Sequence, residues 1–321
     1  MSAGKAEFIS MFFGLHIHQW PPETDEFGSI STVASWAENS GFSLLSASDH
    51  IHPFGQSATR RNSVLDPWIL LASAAHATKN LQLATLVTNT TLRDPWHLAK
   101  ASASLDLLSQ GRFVLGLGSG GSKQESSSFG SLVLRADQRT SRLRESIDVI
   151  RLLWSGNDAS YDGSHFQITK AVSMPSPRSR IPILIGGKSA MTLAVVAEKA
   201  NLANVTFASP SQVGLFAERI QQQCIKIGRD PTQVGLTLLQ RVIIRPEKSD
   251  LESSENSSLD GLIGTPDSVV AEIKEYAHAG ISTMFVFFPQ NDSLSMQLFA
   301  EEVMPVFAQH ADATRVASAA E

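Results

Sequence analysis

Apolar runs alternate with segments of helical spacing along the chain, and this alternation predicts the fold. The clearest unit lies in residues 80–121, where two apolar runs, Leu81–Val87 and Arg112–Leu117, flank a segment of helical spacing. Asp94 is a suitable cap for that helix, and Pro95 suits its first position, where an N–H group would have no partner. Because both runs show little polar alternation, as in strands covered on both faces, we predict parallel strands joined by a crossover helix.

The same alternation recurs and predicts eight strands, each followed by a helix or by a loop and a helix. The predicted strands are Phe13–His18, Phe42–Ala47, Leu81–Val87, Arg112–Leu117, Ile181–Ile185, Leu202–Phe207, Val234–Ile244 and Thr283–Phe288. This repeat favours an α/β fold, the (β/α)8 TIM barrel, as a single domain over residues 1–321, with a doubly wound sheet as the alternative. In a barrel, ligands bind beyond the carboxyl ends of the strands, so the residues after each strand form the candidate site.

Three polar segments interrupt the repeat. Residues 121–137 are too rich in glycine and serine for a barrel helix, and we predict an insertion over the site after strand four, with regular structure resuming near Arg139. The segment Ser155–Arg180 precedes strand five, and a hairpin is predicted around His165–Ile168. Residues 245–262 follow strand seven and are predicted as a solvated loop, with a mobile lid as the alternative.

Composition narrows the class of protein. A formal charge of -5 offers no basic patch for a phosphodiester backbone, so nucleic acid is not an expected partner. The single cysteine, Cys224, excludes a disulfide framework and a multi-cysteine metal site. The apolar segment Phe8–Ile17 is too short to span a bilayer and has no basic leader or cleavage site before it. We therefore expect a cytoplasmic protein that does not enter a membrane.

Histidines cluster at the ends of the first two predicted strands. Asp49 and His50 combine a carboxylate with an imidazole, the usual group for general acid or base chemistry, although a structural histidine is the alternative. His16 and His18 alternate along the first strand, so that at most one set would point into the barrel, and His52 could pair with His50. A metal site would require these side chains to converge with carboxylates, and we predict none. No G-x-S-x-G motif supports a serine hydrolase.

Two glycine-rich segments follow predicted strands. Residues 116–121 resemble a dinucleotide-binding loop, but the third glycine is misplaced and no helix follows, so a loop against which a flat ring can lie is favoured. The segment Gly186-Gly187-Lys188-Ser189 opens a helix, where free N–H groups, the helix dipole and a lysine predict an anion site. A tight turn with a solvent-facing lysine is the alternative.

Several blocks of sequence, in order and over nearly the whole chain, carry a resemblance to a known family. They are Ser48-Asp49-His50, LATLVTNTTLRDPWHLAKASASLDLLSQGRFVLGLGSG, RLRESIDVIRLLWSG, IPILIGGKSAMTLAVVAEKANLANV and LIGTPDSVVAEIKEYAHAGI. They resemble the bacterial luciferase-like monooxygenase superfamily, and within it most the coenzyme F420-dependent oxidoreductases. The resemblance implies a TIM barrel with an insertion after strand four, a deazaflavin or flavin across the carboxyl ends of the strands, and a homodimer.

The resemblance also implies roles for individual residues. Asp49 and His50 would be the catalytic residues at the cofactor ring. The cofactor-binding residues would be Leu86, Val87, Asn89, Ser119, Gly120, Gln124, Gly186, Gly187, Lys188, Asn204 and Val205. Of these, Leu86 and Val87 would form a bulge under the central ring, often with a cis peptide bond in this family, and Gly186–Lys188 would form the phosphate loop.

The chain departs from the resembled enzymes at several positions. Gly121 stands where the F420-dependent sugar-phosphate dehydrogenases carry a catalytic glutamate, and Phe54 stands where they carry a tryptophan. Gln124 replaces a common asparagine, and Asn201 replaces an aspartate. Oxidation of a sugar phosphate is therefore not expected.

The function that the resemblance predicts is an F420-dependent oxidoreductase that transfers a hydride between C5 of the deazaflavin and an organic substrate. An FMN-dependent monooxygenase that works with a separate flavin reductase is one alternative, and a non-catalytic cofactor-binding barrel is another. The expected partners are a small organic substrate and a flavin or F420 reductase.

Overall fold

Parallel strands close into a barrel in the computed structural model, which describes residues 10–18, 29–51, 65–121, 123–129, 133–252, 261–289 and 292–307. The strands of these residues are β1 (Phe12–Ile17), β2 (Leu44–Ala47), β3 (Gln82–Thr85), β4 (Thr88–Asn89), β5 (Phe113–Gly118), β6 (Ala159–Asp162), β7 (Gln167–Ala171), β8 (Ile183–Gly186), β9 (Leu202–Thr206), β10 (Gly235–Ile244), β11 (Leu262–Gly264) and β12 (Ile281–Phe287).

Eight of these strands form the closed wall of the barrel. Their order is β1, β2, β3, β5, β8, β9, β10 and β12, and β12 pairs again with β1. Gly14 of β1 lies in parallel register beside Leu44 of β2 on one side and Phe285 of β12 on the other. A doubly wound sheet would leave two open edges, so that alternative is wrong and the predicted TIM barrel is confirmed.

Helices follow the strands, and most of them cover the outside of the barrel. They are α1 (Ile30–Asn39), α2 (Pro67–Ala77), α3 (Pro95–Leu108), α4 (Lys123–Ser128), α5 (Ala136–Trp154), α6 (Ala190–Lys199), α7 (Pro210–Lys226), α8 (Ser249–Glu252), α9 (Pro266–His278) and α10 (Ser293–Leu298). A π-helical turn, Phe299–Val303, and a 3-10 turn, Met304–Phe307, follow α10. Within the described residues, no helix has both the length and the apolar character needed to cross a bilayer.

Side-chain caps fix the start of some helices but not of α3. Asp66 caps α2, because its Oδ1 accepts a hydrogen bond from the N–H of Trp68 at 2.9 Å. Asp94 occupies the corresponding position of α3 without making such a bond. Its carboxylate instead accepts a hydrogen bond from Arg142 Nη2 at 3.2 Å, so the prediction that its side chain caps the helix is wrong.

Two apolar layers flank the barrel wall, and the strand period decides which residues reach its interior. On β1, Phe13 and Leu15 pack in the layer between the wall and the helices, whereas Phe12 packs inside the barrel with Phe285. His16 follows Phe12 by an even number of residues and therefore shares its inward face. The inward positions near the carboxyl end of β1 are thus polar, and they lie where a ligand would bind.

The predicted interruptions are present, with changes in their content. The insertion contains the short helix α4, and regular structure resumes at Ala136, slightly before the predicted Arg139. The hairpin is β6 with β7. The prediction that residues 245–262 form a solvated loop after β10 is wrong in part, because Leu262 begins β11, which pairs with the last residues of β10. Residues 253–260, where the lid alternative falls, lie outside the described residues.

Candidate active site

A cavity of about 330 Å³ opens at the carboxyl ends of β3, β8 and β9. Its lining residues are Leu86, Val87, Gly186, Gly187, Lys188, Asn204, Val205 and Thr206. All of them except Thr206 are among the residues predicted to bind a cofactor. The fold thus brings together at one cavity three segments that lie far apart in sequence.

The floor of the cavity is the bulge between β3 and β4. The peptide bond between Leu86 and Val87 is cis, as the resemblance led us to expect. Two glycines of β5 make room for this bulge. A Cβ atom at Gly116 would collide with the carbonyl oxygen of Thr85, and one at Gly118 would lie 2.7 Å from Val87 Cγ2. These two glycines therefore serve the packing of neighbouring strands, and not the approach of a pyrophosphate.

The ends of β4 and β5 meet beside the floor. Asn89 Oδ1 accepts hydrogen bonds from the N–H of Thr91 at 2.9 Å and from its hydroxyl at 2.8 Å. Gly120 has a left-handed φ of 71°, and a Cβ there would collide with Asn89 Oδ1. Ser119 is half-buried next to it. The structure thus places Asn89, Ser119 and Gly120 together at the barrel mouth, outside the lining of the cavity.

The predicted anion loop connects β8 to α6. Ser189 caps α6, since its Oγ accepts a hydrogen bond from the N–H of Thr192 at 3.1 Å. The N–H of Gly187 donates to the carbonyl of Asn204 at 3.1 Å, so it is not one of the free donors of this loop. The exposed Lys188 and the remaining N–H groups of the first turn are the donors that this loop offers to an anion.

Asn204 and Val205 form the wall opposite the bulge. The side chain of Asn204 is buried, and its Oδ1 accepts a hydrogen bond from the hydroxyl of Thr237 at 2.8 Å. This bond joins β9 to β10 beneath the cavity. Both residues predicted here line the cavity.

Asp49 is held in a buried ion-pair network. Its two carboxylate oxygens accept hydrogen bonds from Arg93 Nε and Nη2, both at 2.8 Å. Arg93 Nη2 also donates to Asp66 at 2.6 Å. Burial would lower the pKa of the Arg93 guanidinium, but the hydrogen bonds and charges of the two aspartates outweigh it and raise that pKa. Asp49 therefore ties the end of β2 to the loop after β4 and to the start of α2.

Glu125 is a site residue that the sequence reasoning missed. Its carboxylate is 2% exposed, accepts a hydrogen bond from the N–H of Ile51 at 2.6 Å, and lies 3.4 Å from His50 Nδ1. His50 is about one-third exposed at 32%. The insertion helix α4 thus reaches over the barrel mouth and holds the loop that carries the catalytic candidate. Glu125 is the first acidic residue of the insertion that was predicted to lie over the site, and this position could have indicated its role.

His16 and His18 both point toward the second strand. His16 is hydrogen-bonded to Ser46 Oγ at 2.9 Å and to Ser48 Oγ at 3.0 Å, and His18 is hydrogen-bonded to the same Ser48 at 3.1 Å. They are two residues apart on an extended strand, so they share one face. Both therefore belong to the one set of side chains on and directly after β1 that faces the barrel interior, the set that includes Phe12.

Burial and neighbouring positive charge keep these two histidines neutral. Burial is the main cause that lowers the pKa of His16 well below its ordinary value, followed by His18 and His50. Burial, His50 and Arg241 lower the pKa of His18 to about 4. Both imidazoles are therefore uncharged at neutral pH.

This pKa shift predicts a loss of stability in acid. In the unfolded chain His18 takes up a proton below about pH 6.5, whereas in the folded chain it does so only near pH 4. The free energy of unfolding should therefore fall between these pH values, by about 3 kcal/mol from this residue. Denaturant unfolding from pH 7 to pH 4 measures it. The variant His18→Asn should lose less stability in acid, and His76→Asn, at an exposed histidine, should match the parent. An equal loss in His18→Asn and the parent would contradict the assignment.

Some predicted residues fall outside what the structure describes. His52 and Phe54 lie in residues 52–64, and for Gln124 only the backbone, within α4, is described. Among the described residues, no group of three or more histidine, cysteine, aspartate or glutamate side chains could hold a metal ion.

Comparison with known proteins assigns the family. Residues 8–259 match the family model described as luciferase-like monooxygenase. This match spans well over half of the chain, which therefore belongs to the luciferase-like monooxygenase family. A curated relative is the F420-dependent glucose-6-phosphate dehydrogenase of Amycolatopsis mediterranei, 27% identical over 327 aligned residues that cover 88% of this chain and 95% of the relative.

Solved structures share the fold at low sequence identity. An F420-dependent secondary alcohol dehydrogenase in complex with an F420-acetone adduct has a TM-score of 0.80 and 19% identity, over 94% of this chain and all of the other. The monooxygenase RslO1 from Streptomyces bottropensis has a TM-score of 0.78 and 22% identity, over 93% of this chain and 100% of the other. At these sequence identities, the similarity shows that the chains share a fold.

Proposed function

We propose that this chain is an F420-dependent oxidoreductase that moves a hydride between C5 of the deazaflavin and an organic substrate. The observation that carries the proposal is the cavity at the barrel mouth, which is lined by the residues predicted to bind this cofactor. The similarity to an F420-dependent dehydrogenase over most of both chains supports it. Membership in the family makes the chain an oxidoreductase.

The residues of the cavity fit such a cofactor. Leu86 and Val87 offer an apolar floor for a flat ring, and Gly186 and Gly187 let a ligand approach the backbone. Lys188 stands at the amino end of α6, where the helix dipole and free N–H groups favour a phosphate. Once bound, the cofactor supplies the redox chemistry, and the protein supplies orientation and electrostatics.

His50 is the residue to which we assign proton transfer. It follows the end of β2, is partly exposed to the mouth, and is held by the buried carboxylate of Glu125. A carboxylate beside an imidazole fixes the orientation of the ring. His50 can therefore give a proton to, or take one from, a substrate that lies over the cavity.

The substrate differs from a sugar phosphate in this proposal. Gly121 stands where the resembled sugar-phosphate dehydrogenases carry a catalytic glutamate, and a Cβ built there meets no atom of the described residues within 4 Å. The glycine supplies no carboxylate at that position. Glu125 supplies a different carboxylate beside His50, and this disfavours the alternative of a non-catalytic cofactor-binding barrel.

The second candidate is an FMN-dependent monooxygenase that receives reduced flavin from a reductase partner. The similar fold of a solved monooxygenase favours it. Titration of the purified chain with F420 and with FMN, each followed by the cofactor's absorbance, separates the two candidates. We expect saturable binding of F420 and weaker binding of FMN. Tight binding of FMN without affinity for F420 would make the monooxygenase the first candidate. Sedimentation of the same sample tests whether the chain forms the expected homodimer.

Replacing Glu125 by Gln should slow turnover roughly tenfold to a hundredfold, because His50 would lose the group that orients it. A glutamine still accepts a hydrogen bond from the N–H of Ile51, so the loop should keep its fold. Cofactor affinity should not change. The measurement is a double-mutant cycle with His50→Asn: if Glu125 acts through His50, Glu125→Gln costs nothing further once His50 is gone. Additive losses in the double variant would assign Glu125 a separate role.

A further inference from the structure

A cluster of aromatic side chains and one guanidinium lies on the strands that follow the cavity around the barrel. It consists of His18, Phe207, Arg241 and Phe287, and we call it the aromatic cluster. The ring of Phe287 lies 5.8 Å from that of Phe207 in an edge-to-face arrangement and 5.4 Å from the imidazole of His18. The Arg241 guanidinium lies 5.8 Å and 5.7 Å from the two phenyl rings.

The strand register places this cluster inside the mouth. Arg241 of β10 and Phe287 of β12 are direct neighbours in parallel register. Two residues earlier on the same strands, Leu239 and Phe285 belong to the core inside the barrel. Because side chains two residues apart share a face, Arg241 and Phe287 form the last inward layer before solvent.

Phe207 is the most unusual member of the cluster. It follows the last residue of β9, its φ is 50°, and its ring is 43% exposed. A bulky residue rarely adopts the left-handed region, and an exposed phenyl ring gains little from burial. Such outliers gather where a ligand completes the packing. Phe207 also follows Thr206, which lines the cavity, so the cluster and the cavity adjoin.

The charged member of the aromatic cluster determines which kind of ligand the cluster can bind. His18 is neutral, because burial, His50 and Arg241 lower its pKa to about 4. Arg241 is therefore the charged member, and its planar guanidinium matches a planar carboxylate. His50 is one of the groups that lower the pKa of His18, so the charge of the proposed catalytic imidazole reaches the cluster.

We propose that the aromatic cluster is the substrate subsite and that the substrate is a planar aromatic compound bearing a carboxylate. The ring packs against Phe207 and Phe287, and the carboxylate pairs with Arg241. This assignment of substrate class rests on the proposed function, because it places the substrate between the cofactor cavity and His50.

Calorimetric titration of the full chain with benzoate, benzamide and cyclohexanecarboxylate tests the subsite, once without cofactor and once with saturating F420. Benzoate should bind, and benzamide, which lacks the charge, should bind roughly tenfold more weakly. Cyclohexanecarboxylate, which lacks the aromatic ring, should bind about twofold to tenfold more weakly than benzoate. Phenyl phosphate is titrated as well. If it binds more tightly than benzoate, the assignment of a carboxylate to the substrate is overturned.

Two variants locate the binding. Phe207→Gly removes the ring and suits the left-handed backbone, so the variant should fold, and its Kd for benzoate should rise about twofold to tenfold. Arg241→Gln should abolish the preference for benzoate over benzamide. The matched controls are Leu215→Ala, at an exposed position of α7, and Arg144→Gln, at a partly exposed position of α5, and both should bind like the parent.

The outcomes separate the subsite from the proposed function. Failure of benzoate to bind with F420 bound, or unchanged binding in both cluster variants, would overturn the subsite while F420 binding still stands. Binding of benzoate at the cluster by a chain that does not bind F420 would overturn the proposed function and leave the subsite in place.

Discussion

Replacing His50 by Asn is expected to lower turnover by about a hundredfold to ten-thousandfold, the usual contribution of a positioned acid or base. Asparagine keeps the polarity and approximate size of the side chain but cannot exchange a proton near neutral pH. Cofactor affinity should therefore stay the same. Single-turnover rates with F420 and a chosen substrate measure the first effect, and a cofactor titration measures the second. The pH profile of the rate should also lose the limb that reports ionisation of the imidazole.

The matched controls for this prediction are three other histidines. His16 and His18 are held by Ser46 and Ser48 and stay neutral, so asparagine at either position should leave the pH profile with both of its limbs. The same substitution at His52 completes the series. A parental rate in His50→Asn would mean that the proton comes from water or another group, and that His50 serves packing alone.

The barrel could be predicted because its strands follow a local rule. Strands covered on both faces are continuous apolar runs, and each of the eight runs in the sequence coincides with a barrel strand to within a few residues. The observed strand ends differ from the predicted ones where the last hydrogen-bonded pair depends on the neighbouring strand. The predicted Ile181–Ile185, for example, is observed as Ile183–Gly186, because Gly186 pairs with Gly118 of β5.

Gly186–Lys188 could be predicted from the local sequence, because this segment comes at the end of a strand and the barrel rule brings such segments to one end. Leu86–Val87 and Asn204–Val205 lie within predicted strands, and only the resemblance indicated them. The contacts between distant segments could not be predicted. Glu125 meets Ile51 across 74 residues, and Arg93 meets Asp49 across 44 residues. Nothing in the local pattern specifies which carboxylate an insertion brings to a histidine.

Asp94 illustrates how a distant partner changes a local prediction. An aspartate before a proline at the start of a helix is a favoured cap. Here the carboxylate accepts a hydrogen bond from Arg142, which lies 48 residues later on α5, and it makes no cap bond. A charged partner forms a stronger hydrogen bond than a backbone N–H, so α3 begins at the predicted residue without its predicted cap.

Replacing Lys188 by Ala is expected to weaken cofactor binding by about 1.5 to 3 kcal/mol, which is the usual contribution of a charge-assisted hydrogen bond. Lys188 lines the cavity and is exposed, so salt screens its charge, and the loss should be largest at low ionic strength. Turnover at saturating cofactor should stay near the parental value, because we assign the lysine to the phosphate end of the cofactor and proton transfer to His50. Titrations with F420 at two salt concentrations measure the change.

Two further variants make this prediction specific to position and charge. Lys188→Arg keeps the charge and should recover most of the affinity. Lys226→Ala removes an exposed lysine from the last turn of α7, at the other end of the barrel from the cavity, and should bind cofactor like the parent. If Lys188→Ala binds F420 as tightly as the parent at low salt, the loop after β8 is a tight turn with a solvent-facing lysine, and the anion of the cofactor must be held by other N–H groups of the mouth.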